Sequence, residues 1–102
     1  MILIRNIFQL KFGKAREAKE IWNEGKNTVE GFTKMNYRVL FDLVGDSYTM
    51  VLEVTADNLS AFEQQMQSNV GTDAWRNWYQ KFIPLCESGR REIFTIVEEN
   101  KL

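Results

Sequence analysis

The sequence predicts one small α+β domain whose elements run strand, helix, strand, strand, helix, strand. Three observations carry that expectation. Apolar residues alternate with a period of two in four stretches, the pattern of strands with one face on a core. Between the first and second stretches, and between the third and fourth, the period lengthens to that of a helix. The length of 102 residues suits a single domain over residues 1–102. A chain of that size buries roughly 65% of its unfolded surface, enough for a thin core.

The first strand covers residues 2–11. Ile2, Ile4, Asn6, Phe8 and Leu10 share one face; Leu3, Arg5, Ile7 and Gln9 share the other. Gly13 ends it. Over residues 14–30, Ala15, Ala18, Trp22 and Val29 recur at helical spacing. Gly25 is expected to bend this helix or end its regular part, and Gly31 to stop it. The second strand covers residues 35–44, with Met35, Tyr37, Val39, Phe41 and Leu43 on one face. Asn36, Arg38, Leu40, Asp42 and Val44 lie on the other. Gly45-Asp46 reads as a tight hairpin turn. The third strand covers residues 48–55, with Tyr48, Met50, Leu52 and Val54 opposed to Thr49, Val51, Glu53 and Thr55.

Asp57 is expected to cap the next helix, with Ser60 and Glu63 offering a competing capping box. Leu59, Phe62 and Met66 carry that helix to Asn69, and Gly71 breaks it. Thr72 or Asp73 caps a second helical piece that ends at Phe82. Trp75, Trp78 and Phe82 share one face of it, more aromatic surface than docking on a small sheet requires. Pro84 and Gly89 mark its exit, and the last strand covers residues 91–97. The charged tail, 98–102, is expected to fray. This order is the ferredoxin-like βαββαβ pattern: a four-stranded antiparallel sheet with helices on one face.

Composition excludes several functions. Net charge is −1 with both signs spread along the chain, so nucleic acid is not an expected partner. The first apolar run is too short for a membrane span or a signal peptide. Histidine is absent, which removes the commonest general base near neutral pH and the commonest metal ligand. With one cysteine besides, neither a transition-metal site nor a Cys–His pair is expected. No Gly-rich phosphate loop is present, and no cofactor is expected. The lone Cys86 fits a reducing cytoplasm and reads as structural. Arg90-Arg91, placed ahead of the last strand, reads as a solvated pair.

The sheet face turned away from the helices is the unusual one. Leu3, Ile7, Leu40, Val44 and Val51 lie on it, with Phe94 and Ile96 or Ile93 and Val97 from the last strand. An apolar face of this size rarely stays in water, and a second copy of the same sheet is its simplest cover. Arg5, Gln9, Arg38, Asp42 and Glu53 share that face, and Glu92 joins them if Phe94 and Ile96 are the last strand's residues there. Between two sheets they must pair, and Arg5 with Glu53 is the natural couple.

Several segments carry a resemblance over nearly the whole chain. They are Phe8-Gln9-Leu10-Lys11-Phe12-Gly13-Lys14, Arg38-Val39-Leu40 with Gly45, Trp75-Arg76-Asn77-Trp78, and Ser88-Gly89-Arg90-Arg91-Glu92-Ile93. In these the chain resembles the dimeric α/β-barrel superfamily and, within it, the NIPSNAP-like group. The resemblance implies a homodimer in which two sheets close one barrel, with Arg5, Arg38 and Glu53 inside it. It also implies a ligand cavity under the helices, the place that cofactor-independent and haem-degrading monooxygenases of the superfamily use. The haem-degrading members require an iron-ligating histidine, which this chain lacks. Asn6 is the one clearly polar residue on the helix-facing row of the first strand. Around it the pattern gathers Trp22, Tyr37, Phe41, Tyr48, Met50, Trp75 and Trp78. These eight residues either bind a small hydrophobic or aromatic ligand, with or without oxygenase chemistry, or simply fill a core.

Overall fold

A computed structural model describes residues 1–102. Four strands form one antiparallel sheet in the spatial order β2-β3-β1-β4. They are β1 (Ile2–Leu10), β2 (Asn36–Phe41), β3 (Thr49–Ala56) and β4 (Cys86–Thr95). Three helices, α1 (Ala15–Thr28), α2 (Leu59–Val70) and α3 (Asp73–Phe82), cover one face of it. The architecture is the α+β ferredoxin-like fold that the pattern predicts. None of the helices is long and apolar enough to cross a membrane.

The core lies between sheet and helices. Ile4, Leu10, Met50 and Val54 rise from the central strands β1 and β3. Ala18, Trp22, Phe62, Trp78 and Phe82 descend from the helices to meet them. Each fully buried large side chain contributes about 1.5–3 kcal/mol over its exposed state. An aromatic chain runs through this layer: Trp22 stacks on Phe32, Phe32 meets Trp78 edge-on, Trp78 stacks on Phe82, and Phe82 meets Phe8 edge-on.

Several local expectations are corrected. Gly25 does not end α1. The helix runs through it to Thr28, and the glycine is there because the Trp78 indole packs on its Cα; a Cβ would sit 2.3 Å from Trp78 Cδ1. Gly31 lies inside a short 3₁₀ helix, Glu30–Lys34, where the Asn69 side chain occupies the space a Cβ would need. The N-cap of α2 is Asn58, whose Oδ1 accepts from the Ala61 amide, in place of Asp57 or Ser60. Thr72 caps α3 by accepting from the Trp75 amide.

The hairpin is wider than a two-residue turn. The strands stop at Phe41 and start again at Thr49, so Leu43 and Val44 project from a loop, almost fully exposed. Asp42 closes that loop by accepting the Thr49 amide, and Gly45 (φ +133°) and Tyr48 (φ +61°) take its left-handed positions. The last strand begins at Cys86, so Gly89, Arg90 and Arg91 lie within it and Val97 lies beyond its end. Its register sets Phe94 opposite Leu3 and Ile93 opposite Ile4. Phe94 therefore joins the open face and Ile93 the helix side.

Candidate functional site

A cavity of about 360 Å³ lies between the sheet and the α2–α3 layer. Asn6, Phe8, Leu52 and Val54 form its floor on β1 and β3. Phe62 and Met66 of α2 form one wall; Trp75, Trp78, Tyr79 and Phe82 of α3 form another. Phe32 and Met35 close the inner end, and Gly89, Arg90 and Arg91 edge the outer one. The wall of α3 follows from its sequence spacing, which stacks Trp75 on Tyr79 (4.6 Å between ring centroids) and Trp78 on Phe82 (5.0 Å).

The mouth faces β4. Arg91 and Ile93 occupy the helix-facing row of that strand, yet both remain exposed. The helices stop short of the edge strand and leave an opening above it. Gly89 keeps the floor clear, since a Cβ there would press to 3.2 Å from the Phe8 ring. Polar groups are few. Asn6 Oδ1 accepts a 2.8 Å hydrogen bond from Arg91 Nε, and the Arg91 guanidinium lies 5.4 Å from the centroid of the Phe62 ring.

Of the eight residues grouped by sequence, the structure brings Asn6, Trp75 and Trp78 to this cavity. The other five lie elsewhere. Trp22 is buried behind the cavity wall, between Phe32 and Tyr37. Tyr37 and Phe41 stand on β2, the far edge strand, and Lys19 Nζ lies 4.8 Å from the Phe41 ring. Tyr48 packs on Phe12 at the hairpin end, and Met50 is fully buried in the core. Sequence reasoning missed Phe62, Met66, Tyr79, Phe82 and Arg91 as lining of the cavity that holds Asn6. Strand alternation puts Arg91 in one row with Ile93, and the pairing with β1 sets that row on the helix side, with Arg91 opposite Asn6.

The other sheet face holds a row of four charges, one per strand: Arg38, Glu53, Arg5, Glu92. Arg5 Nε lies 3.1 Å from Glu53 Oε2, and Arg5 Nη1 donates to Glu92 Oε1 at 3.5 Å. Arg38 Nη2 donates to the other Glu53 oxygen. Leu3 and Phe94 flank the row on one side, Ile7, Val51 and Leu40 on the other. Cys86, at the start of β4, is half-buried. Burial pushes its thiol pKa up, while the Lys11 cation pulls it down more weakly.

No protein-family model matches this chain, and no curated protein matches it. Solved structures do. An uncharacterized NIPSNAP domain protein from Burkholderia xenovorans superposes with a TM-score of 0.86 at 14% identity, covering 95% of each chain. A NIPSNAP family protein from Agrobacterium tumefaciens gives 0.84 at 15% identity, over 92% of this chain and 90% of that one. SnoaB, a cofactor-independent oxygenase from Streptomyces nogalater, gives 0.69 at 12% identity, over 96% and 94%. Identities this low speak for fold alone: the chain has the ferredoxin-like fold of the NIPSNAP domain proteins, shared with that oxygenase.

Proposed function

We propose that the protein binds one small aromatic or hydrophobic molecule in the cavity between sheet and helices. The observation that carries this reading is the cavity itself, about 360 Å³ with aromatic walls. That volume falls within the range of small-molecule sites, toward its lower end. A planar ring entering from the β4 side meets Trp75, Phe62 and Phe8. Each well-oriented aromatic pair is worth about 0.5–1.5 kcal/mol beyond area burial. Titration with naphthamide, a neutral aromatic probe, followed by tryptophan fluorescence, tests the reading. Saturable quenching, weakened at least about tenfold (the loss of one ring contact plus its area) in Trp75→Ala, is the expected result. Absence of binding, or an affinity untouched by Trp75→Ala, overturns it.

A second reading is favoured by Asn6 and by the likeness to SnoaB, a cofactor-independent oxygenase. Here an electron-rich aromatic ligand is itself the reductant of dioxygen, and the Asn6 amide orients it. Oxygen uptake with polyphenols, compared between wild type and Asn6→Ala, decides this; equal rates exclude a role for Asn6.

The working unit in this reading is a cytoplasmic homodimer built on the open sheet face. The charge row supports it. Its signs alternate and its two ends are opposite, so a second row turned by a two-fold axis parallel to the strands sets Arg38 against Glu92 at both ends. Light scattering at micromolar concentration is expected to give twice the 12.0 kDa protomer mass; the protomer mass refutes the dimer.

A further inference from the structure

The mouth of the cavity holds a cation fixed in place. β4 pairs Arg91 with Asn6, and Arg91 Nε donates to Asn6 Oδ1 at 2.8 Å. On the helix side, the Phe62 ring lies 5.4 Å from the guanidinium. One arginine is thus tied to strand and helix at once, across the entrance. Its Nε is used, whereas its two Nη groups are engaged by no side chain or carbonyl of the protein. No carboxylate lies within 4.0 Å of it, although Arg5, Arg38 and Arg76 each have one. Most of the remaining lining is apolar, and Arg90 is the other charged residue that edges the cavity.

From this geometry we propose that the ligand is an aromatic carboxylate, its ring between Trp75 and Phe8 and its carboxylate on the Nη fork of Arg91. The proposal rests on the ligand-binding reading above. A guanidinium held at Nε presents two parallel N–H donors that match a planar carboxylate, and an arginine pinned this way loses little freedom on binding. Apolar walls exclude water from the ring, while the mouth leaves the charged end partly solvated. Strand alternation sends the neighbouring Arg90 side chain to the opposite face, so Arg91 is the cation whose side chain stands on the cavity side.

The test uses naphthoate and naphthamide, which share one ring system and differ in charge. Binding to wild type is measured by calorimetry at about pH 7.5, where an ordinary carboxylic acid is ionised. Naphthoate is expected to bind about tenfold tighter, the low end for a charge-assisted hydrogen bond because the mouth is exposed. Arg91→Gln is expected to abolish that preference and leave naphthamide binding in place, which also reports an intact cavity. Arg91→Lys, retaining charge without the fork, is expected to fall between, and should Arg91→Gln not fold it decides the question. Arg76→Gln, removing an exposed cation from α3, is expected to leave the preference whole. Equal affinities in wild type, or a preference that survives Arg91→Gln or is undiminished in Arg91→Lys, overturn the carboxylate assignment while the cavity reading stands. Failure of naphthamide to bind wild type overturns the two together.

Discussion

Arg5 and Glu53 face each other across β1 and β3, with Arg5 Nε 3.1 Å from Glu53 Oε2, at the middle of a charge row that crosses the sheet. Glu53 is only 6% exposed although it stands on the sheet face turned away from the helices. Arg5 and Arg38 fold over its carboxylate from both sides and supply the shelter. A carboxylate so enclosed is tolerable because it has two guanidinium partners.

Removing that carboxylate leaves Arg5 and Arg38 side by side without their shared anion. Glu53→Gln is expected to destabilise the protein by about 1–2 kcal/mol, below the cost of breaking a fully buried pair because both arginines reach solvent. Arg38→Gln is expected to cost about 0–1 kcal/mol, since that side chain is 71% exposed. Urea midpoints at one fixed protein concentration check the ranking.

Gly25 and Trp78 set up the reverse of the usual helix rule. Alanine in an exposed helix interior gains about 1 kcal/mol over glycine. Here the new Cβ would fall 2.3 Å from Trp78 Cδ1, between two buried elements. Gly25→Ala is therefore expected to lower stability by about 1–3 kcal/mol, as overpacking does. Thermal unfolding measures it; a rise in Tm would contradict the close packing of α1 on α3.

Two tryptophans three residues apart are expected to separate stability from binding. Trp78 is buried against Phe32 and Phe82, so Trp78→Ala costs about 3–5 kcal/mol. Trp75 is half-buried and stacks on the exposed Tyr79, so Trp75→Ala costs about 1–2 kcal/mol and chiefly weakens the ligand. Denaturation midpoints and probe affinities measured together show whether the two effects divide this way.

Cys86 titrates upward. Its thiol holds its proton at neutral pH, so alkylation by iodoacetamide is expected to be slower than that of an unfolded thiol and to accelerate only in more alkaline solution. The linked stability change has a definite sign. As pH rises past the ordinary thiol pKa, the unfolded chain releases its proton first, so stability falls until the folded thiol ionises too. Alkylation rate against pH and stability of wild type against Cys86→Ser check both.

Element order was legible in the chain because hydrophobic period is a local signal. The alternation in β1 and β3 and the aromatic stripe of α3 needed no knowledge of neighbours. The start of β4 was not legible in the same way. Glu87, Ser88, Gly89 and Arg90 have the composition of a solvated loop, and Ser88, Gly89 and Arg90 join the strand because β1 pairs with them. The wide hairpin follows the same logic, as the Asp42 side chain and the Thr49 amide end the ladder at a point that composition does not mark.

The sequence by itself determined the α+β order, the two-sided apolar sheet, the placement of Asn6 on the helix side and the lack of any imidazole chemistry. Each of these depends on residue type and period alone. Tertiary structure decided which residues share a cavity with Asn6: it kept Trp75 and Trp78, set Trp22, Tyr37, Phe41, Tyr48 and Met50 elsewhere, and brought in Phe62 and Arg91. Arg91 reaches Asn6 across 85 residues of chain. Such a meeting is fixed by strand register and helix packing, which act between segments and leave no mark in the local pattern of either one.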